Sequence, residues 1–420
     1  MKVLMLGWEF PPYKSGGLGT ACHGLTKGLA QQGVDVTFVM PHIEGSMKTE
    51  FVNLVGTKGF MKIRKIDSCL TPYMSSESYD GVLHHMRHIR ILERPGMRPI
   101  YGKNLHEEVF NFTRAARKIA EEEPHDVIHA HDWMTYQAGI EAREISGKPF
   151  VAHIHATEFD RTGGNPNMHI SHLEHTGLTA ADIIIANSEY TKGNIMQHYG
   201  IDPDKIKVVH FGIDPDNVKT TYPRSPMSKT DKVVLFLGRV TIQKGPDYFI
   251  EAAANVLRYK KNVRFIVAGS GDMLPKIIER AAELGIADKV TFTGFLEGDE
   301  VNKAFQMADL YVMPSVSEPY GLVALEALKN KTPIIISKQS GVSEVLNHAL
   351  KVDFWDINEM TNKIVSVLNY QELFEELKDN GSSEVESFTL EEPAKKTMAI
   401  YHDALQRMMQ TGNNAGGKPW

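Results

Sequence analysis

The sequence predicts an α/β protein made of two Rossmann-like, doubly wound domains facing each other across a cleft. Short apolar runs of strand length alternate with helical segments along the chain, the pattern of parallel sheets joined by crossover helices. A polar, proline-containing stretch, 212–232, splits that alternation into two series and reads as a linker. The length of 420 residues suffices for two substantial cores.

The first series opens with an apolar strand at 3–7, a glycine-rich loop and a helix over 21–33. Strands follow at 34–41, 126–131, 149–156 and 182–188, and the stretch 205–214 closes the half. The second series has strands at 232–240, 263–271, 289–296, 308–315 and 332–338, with a helix starting at Asp247 after the first of them. The expected domains are therefore 1–212 and 213–390. A helix over 391–410 should pack back on the first domain, and the tail 411–420 has a disorder-prone composition.

Composition narrows the function. Hydrophobic residues make up 42% and charged residues 23%, as in ordinary globular proteins. A net charge of -6 argues against a general nucleic-acid binder. No apolar run approaches the ~18 residues that span a membrane. The start reads as a strand rather than a signal peptide, and the two cysteines, Cys22 and Cys69, provide neither a disulfide framework nor zinc spacing. A cytoplasmic location is the expectation.

The most informative segment is 314–336. An apolar strand ends at Pro314, a loop carries Glu318, and a helix starts near Gly321, Leu322 and Val323. Unpaired N–H groups and the positive end of the dipole make such a helix start a natural diphosphate site. Glu326, inside the helix, would reach paired ribose hydroxyls, and Glu318 a sugar on the other side of the phosphates. In the second domain's first loop, Arg239 and Lys244 precede a helix that Gly245 and Pro246 introduce. Two fixed cations there can stabilise charge on a departing diphosphate, although solvated loop cations are common. In the first loop of the chain, Gly16 and Gly17 open a helix and permit close approach to an anion. Their spacing does not match G-x-G-x-x-G, which argues against NAD.

These motifs resemble those of retaining GT-B glycosyltransferases, most closely bacterial glycogen and starch synthases. Glu318 and Glu326 match the Glu-x7-Glu pattern, Arg239 and Lys244 the R-x4-K pair that replaces a metal ion, and Lys14-Ser15-Gly16-Gly17-Leu18 the K-x-G-G-L loop. The resemblance implies a GT-B fold and transfer of glucose from ADP-glucose or UDP-glucose to the non-reducing end of an α-1,4-glucan. It also implies that His155 lies against the donor sugar and that His131-Asp132-Trp133 lines the acceptor cleft. Catalytic roles fall on Glu318, Lys244, Arg239 and His155. Donor or substrate binding falls on Lys14, Gly16, Gly17, Gly321, Leu322, Glu326 and Asp132. No cofactor and no metal are expected. Two departures are Phe211, where starch synthases commonly carry Asn, and Met134, where a second His often follows the Trp.

Most of the 18 histidines read as structural, and the two Asp-Pro-Asp sequences, Asp202–Asp204 and Asp214–Asp216, as turns rather than metal sites. Other readings stay open: a transferase with a small-sugar, sugar-phosphate or polysaccharide acceptor, a nucleotide-sugar epimerase, or an inactive glucan-binding protein.

Overall fold

The computed structural model describes residues 1–10, 17–42, 49–52, 61–67, 105–214, 222 and 231–415. Strands that are apolar on both faces need cover on both faces, which parallel sheets flanked by helices provide. β1 (Lys2–Leu6), β2 (Asp35–His42), β3 (Thr49–Val52), β4 (Met61–Asp67), β5 (Val127–His131), β6 (Phe150–Ile154), β7 (Ile183–Ala186) and β8 (Ile206–Val208) form the first sheet. Its order is β3-β4-β2-β1-β5-β6-β7-β8, and all its pairings are parallel except that of β3 with β4. β3 and β4 were not among the expected strands. The sequence MKIRKID of β4 separates its three apolar residues by charged ones and lacks the apolar run that marks the other strands.

The second sheet contains β9 (Lys232–Leu237), β10 (Val263–Ala268), β11 (Val290–Gly294), β12 (Leu310–Met313), β13 (Ile334–Ser337) and β14 (Leu350–Val352). Its order, β11-β10-β9-β12-β13-β14, is the 3-2-1-4-5-6 order of a doubly wound dinucleotide-type sheet. Both domains are thus Rossmann-like.

Helices cover the sheets. Those that build the site are α1 (Gly17–Gln31), α3 (Trp133–Ser146), α4 (Glu158–Arg161), α5 (Met168–Ala180), α6 (Glu189–Tyr199), α7 (Pro246–Tyr259) and α10 (Leu322–Lys329). α2 (Leu105–Glu122), α8 (Leu274–Glu283), α9 (Asp299–Met307), α11 (Ile357–Asn369) and α12 (Gln371–Val385) complete the layers. α1 starts at Gly17, where the glycines of the first loop were expected to open a helix, four residues before the stretch 21–33. The chain crosses between domains twice, and the crossings touch: Ile213 N donates to Phe388 O at 2.9 Å. α13 (Glu391–Ala415) then returns to the first domain, where Ala394, Ile400, Tyr401 and Ala404 join its core. It continues to Ala415, into the stretch whose composition suggests a disordered tail. No helix among the described residues is long and apolar enough to cross a membrane.

Candidate active site

In doubly wound sheets the binding crevice opens where the strand order reverses, outside the carboxyl ends of the strands. In the second domain that point lies between β9 and β12. The loop after β9 carries Arg239 and Lys244, and the loop after β12 carries Glu318. Lys244 ends a short 3-10 turn, Ile242–Lys244, and Gly245 follows with φ 63°. A Cβ on Gly245 would come within 2.2 Å of Pro314 O, so only glycine lets the two loops meet so closely. The approach brings Lys244 Nζ to 2.5 Å from Glu318 Oε2, which also accepts from Ser315 Oγ at 3.2 Å. Arg239 Nη2 donates to Gln243 Oε1 at 3.0 Å, and Gln243 O accepts from Val316 N at 2.9 Å. Three of the sequence-predicted residues therefore occupy one stitched pair of loops.

Gly321, with φ 111°, turns the chain into α10, and no side chain caps the helix start. One turn on, Glu326 lines a narrow cleft with Leu322. The opposite wall comes from the first domain: Thr20, His23 and Gly24 of α1. Gly17, the first residue of α1, is exposed. Lys14 and Gly16 lie outside the described residues. Near this helix start a buried carboxylate, Glu9, accepts from Gly19 N at 3.0 Å.

The first sheet reverses order between β1 and β5, and its histidines gather beside that point. His129 and His131 on β5 and His153 and His155 at the end of β6 stack as a buried ladder. His131 Nδ1 and His155 Nε2 share a hydrogen bond at 2.8 Å. His129 Nε2 and His153 Nδ1 share another at 3.2 Å, and His129 Nδ1 meets Tyr401 OH of α13 at 2.6 Å. Phe211 lies over His155 with ring centroids 5.4 Å apart and an interplanar angle of 13°. Burial holds all four imidazoles below their ordinary pKa, His131 down to about 3, so they are neutral near pH 7.

The ladder brings His129, His131 and His153 close enough to suggest metal ligation, and Cys22 with His131 and His155 likewise. Ring geometry opposes it. A metal lies in the plane of each imidazole that binds it, and the His129 and His131 rings lie face to face, 25° apart with centroids at 4.3 Å. The 2.8 Å separation of His131 and His155 is that of a hydrogen bond, shorter than the roughly 3.3 Å edge of a tetrahedral zinc site.

Asp132 is placed differently from the expectation that it lines the cleft. It is 1% exposed, and its Oδ1 accepts from His155 N at 2.7 Å. Its backbone, at φ 61° and ψ 168°, occupies a region almost reserved for glycine. Arg161 of α4 sits 3.8 Å from Asp132 Oδ2 and pairs with Glu174 Oε1 at 2.8 Å. Burial pushes Glu174 up to about 7, against the pull of Arg161, and Tyr199 OH donates to Glu174 Oε2. This network supports the loop that carries His155.

Comparison with known proteins places this geometry. A family described as starch synthase catalytic domain matches residues 2–206, and one described as glycosyl transferases group 1 matches 218–384. An uncharacterized glycosyltransferase of Methanocaldococcus jannaschii is 30% identical, covering 97% of this chain and 100% of its own. The chain belongs to the glycosyltransferases. This glycosyltransferase is also 31% identical to a D-inositol 3-phosphate glycosyltransferase of Segniliparus rotundus over 67% of each chain. A glycogen synthase of Mycobacterium tuberculosis is 27% identical over 82% of this chain and 80% of its own. Among solved structures, a sucrose-phosphate synthase from Thermosynechococcus elongatus superposes with a TM-score of 0.74 at 18% identity, covering 97% and 99% of the two chains. The fold is GT-B.

Sequence reasoning missed the residues that join the glycosyltransferase's two halves. Glu344, just before β14, receives Glu189 N and Tyr190 N at the start of α6, at 2.9 and 2.6 Å, and His210 Nε2 at 3.1 Å. Ser188 Oγ donates to Pro319 O at 2.6 Å, and Tyr320 OH donates to Phe211 O at 2.8 Å. Asp160 also crosses the cleft. It carried a legible signal, because Thr157-Glu158-Phe159-Asp160 is a capping-box pattern, and the box forms in α4.

Proposed function

We propose that the protein is a retaining glycosyltransferase that moves glucose from a nucleoside-diphosphate-glucose to the non-reducing end of an α-1,4-glucan. The observation that carries this reading is the Lys244–Glu318 pair at the reversal point of the second sheet, one loop from the uncapped start of α10. Lys244 and Arg239 supply positive charge where a diphosphate leaves, and the N–H groups around Gly321 and Leu322, with Gly17 opposite, bind its oxygens. Glu318 orients the transferred sugar, Glu326 the ribose, and His155 borders the sugar from the first domain. Attack comes from the face the diphosphate leaves, and the leaving phosphate oxygen takes the acceptor proton. Closure of the domains excludes water, which would otherwise hydrolyse the activated sugar.

Relatedness to a glycogen synthase supports a glucan acceptor. A second reading, transfer to a polyol or sugar phosphate, draws on the D-inositol 3-phosphate glycosyltransferase relative. The experiment incubates purified protein with ADP-glucose and UDP-glucose, each with glycogen and with inositol phosphate, and reads the product's anomeric configuration by NMR. An α-linked extension of glycogen is expected. A β-linked product overturns retention, and a product on inositol phosphate alone replaces the acceptor.

A further inference from the structure

A single buried carboxylate touches the loops that carry His155 and Glu318, which belong to different domains. Asp160 is 2% exposed and uses its two oxygens in opposite directions. Oδ2 closes the capping box of α4, accepting from Thr157 N and Thr157 Oγ1 at 2.7 Å each. That fixes the turn two residues after His155. Oδ1 is not needed for the cap. It accepts from Asn194 Nδ2 at 2.8 Å and, across the cleft, from Ser317 Oγ at 2.5 Å. Ser317 directly precedes Glu318, and its hydroxyl also meets Tyr190 OH of α6 at 2.9 Å. The backbone N–H of Ser317 points at Gln243 O, 3.4 Å away, next to Lys244.

We propose that Asp160 is a positioning residue: through Ser317 it couples closure of the two domains to the alignment of Glu318 opposite His155. A helix cap alone explains only one of its oxygens. The second forms a charge-assisted O–H···O⁻ bond, the strong kind, and that bond exists only when the domains are in this arrangement. Ser317 is the hinge point of the effect, because a shift of its Oγ moves the adjacent Glu318 and, through Gln243, the Lys244 turn. Small displacements of groups that hold a reacting centre cost rate out of proportion to their size. The kinetic part of this inference rests on the glycosyl-transfer reading, and the structural part does not.

The test uses the full chain as wild type, Ser317→Ala, Asp160→Asn and the double variant. Ser317→Ala removes the cross-cleft donor and leaves the capping box intact, so it keeps the test valid if Asp160→Asn folds poorly. Small-angle scattering of the free protein needs no substrate. It should show a larger radius of gyration for Ser317→Ala than for wild type, with an unchanged circular-dichroism spectrum showing that the variant is folded. With the donor found active for wild type, Ser317→Ala should lower kcat about 10-fold and leave binding of the nucleoside diphosphate within about twofold. The double variant should be no worse than the poorer single variant, as for residues acting through one bond. Wild-type scattering from Ser317→Ala overturns the proposal. So do normal turnover of Ser317→Ala and losses that multiply in the double variant. A wild type inactive with every donor instead overturns the glycosyl-transfer reading, and the scattering result still decides the role of Asp160.

Discussion

Lys244 Nζ lies 2.5 Å from Glu318 Oε2, with side chains 19% and 10% exposed, and the two residues come from loops 74 positions apart. In that pair the Lys244 cation and the Glu318 carboxylate neutralise each other. Under the proposed function, an incoming diphosphate takes over Lys244 and releases Glu318 to the sugar hydroxyls. One ion pair thus presets both groups.

Lys244→Ala should lower kcat/KM by roughly 10²-fold or more, the scale of losing one preorganised electrostatic contact. From sequence alone, removing this loop lysine should leave thermal stability nearly unchanged. The ion pair changes that expectation: about 1 kcal/mol should go, seen as a fall of a few degrees in melting temperature. Near-normal turnover would return Lys244 to a structural role.

Glu318 and Glu326 should separate kinetically. Glu326 lines the cleft under α1, where the ribose is proposed to sit, a part of the donor that does not react. Glu326→Ala should mainly weaken nucleoside diphosphate binding measured by calorimetry. Glu318→Ala should leave that binding nearly intact and depress kcat, because contacts at the reacting sugar tighten in the transition state. Equal losses of nucleotide affinity in both variants would reverse the assignment of sugar and ribose.

Catalysis should survive excess EDTA. Under the proposed function, Arg239, Lys244 and the start of α10 supply the positive potential that a divalent ion supplies elsewhere. Activity lost to EDTA and restored by magnesium or manganese would sink this expectation.

Asp132 tests the link between strain and site. Its glycine-like backbone costs on the order of 1–3 kcal/mol, and its carboxylate holds His155 N. Asp132→Ala keeps the strain and loses the carboxylate, whereas Asp132→Gly loses both. Chemical denaturation should find the glycine variant more stable than the alanine variant by about 1–2 kcal/mol, with turnover reduced in both. Equal stabilities would mean that the backbone is not strained.

Much of the architecture was legible because parallel strands buried on both faces leave unbroken apolar runs, as in 182–188 and 332–338. The placement of Arg239, Lys244 and Glu318 was legible because the loops after β9 and β12 lie where topology dictates a crevice. The domain contacts were not. Glu344, Ser188 and Ser317 are ordinary polar residues in sequence, and only the packing of one domain on the other gives them partners. The histidine ladder lay between the two cases: pairs two apart on adjacent strands point to the same face, but their register decides that they stack.

That ladder sets a pH dependence. His129, His131, His153 and His155 all have pKa values lowered in the folded state, chiefly by burial and, for all but His131, also by neighbouring charge. A histidine kept neutral by folding contributes its full stability above the unfolded value of 6.5. As pH falls below 6.5 the unfolded chain takes up the proton first, and stability is lost down to the folded value, about 3 for His131. Each such group contributes about 1.36 kcal/mol per pH unit within that window. Glu174 acts in the opposite sense. Raised from 4.5 to about 7, it contributes stability below 4.5 that disappears as pH rises towards 7. Four histidines against one glutamate leave a net loss on acidification between 6.5 and 4.5. Melting temperature should therefore fall steadily from pH 7 to pH 5, and replacing His153 by glutamine should flatten that slope by about one proton whatever it does to absolute stability. A wild-type melting temperature that stays level across this range would show that these imidazoles are not held neutral in the core.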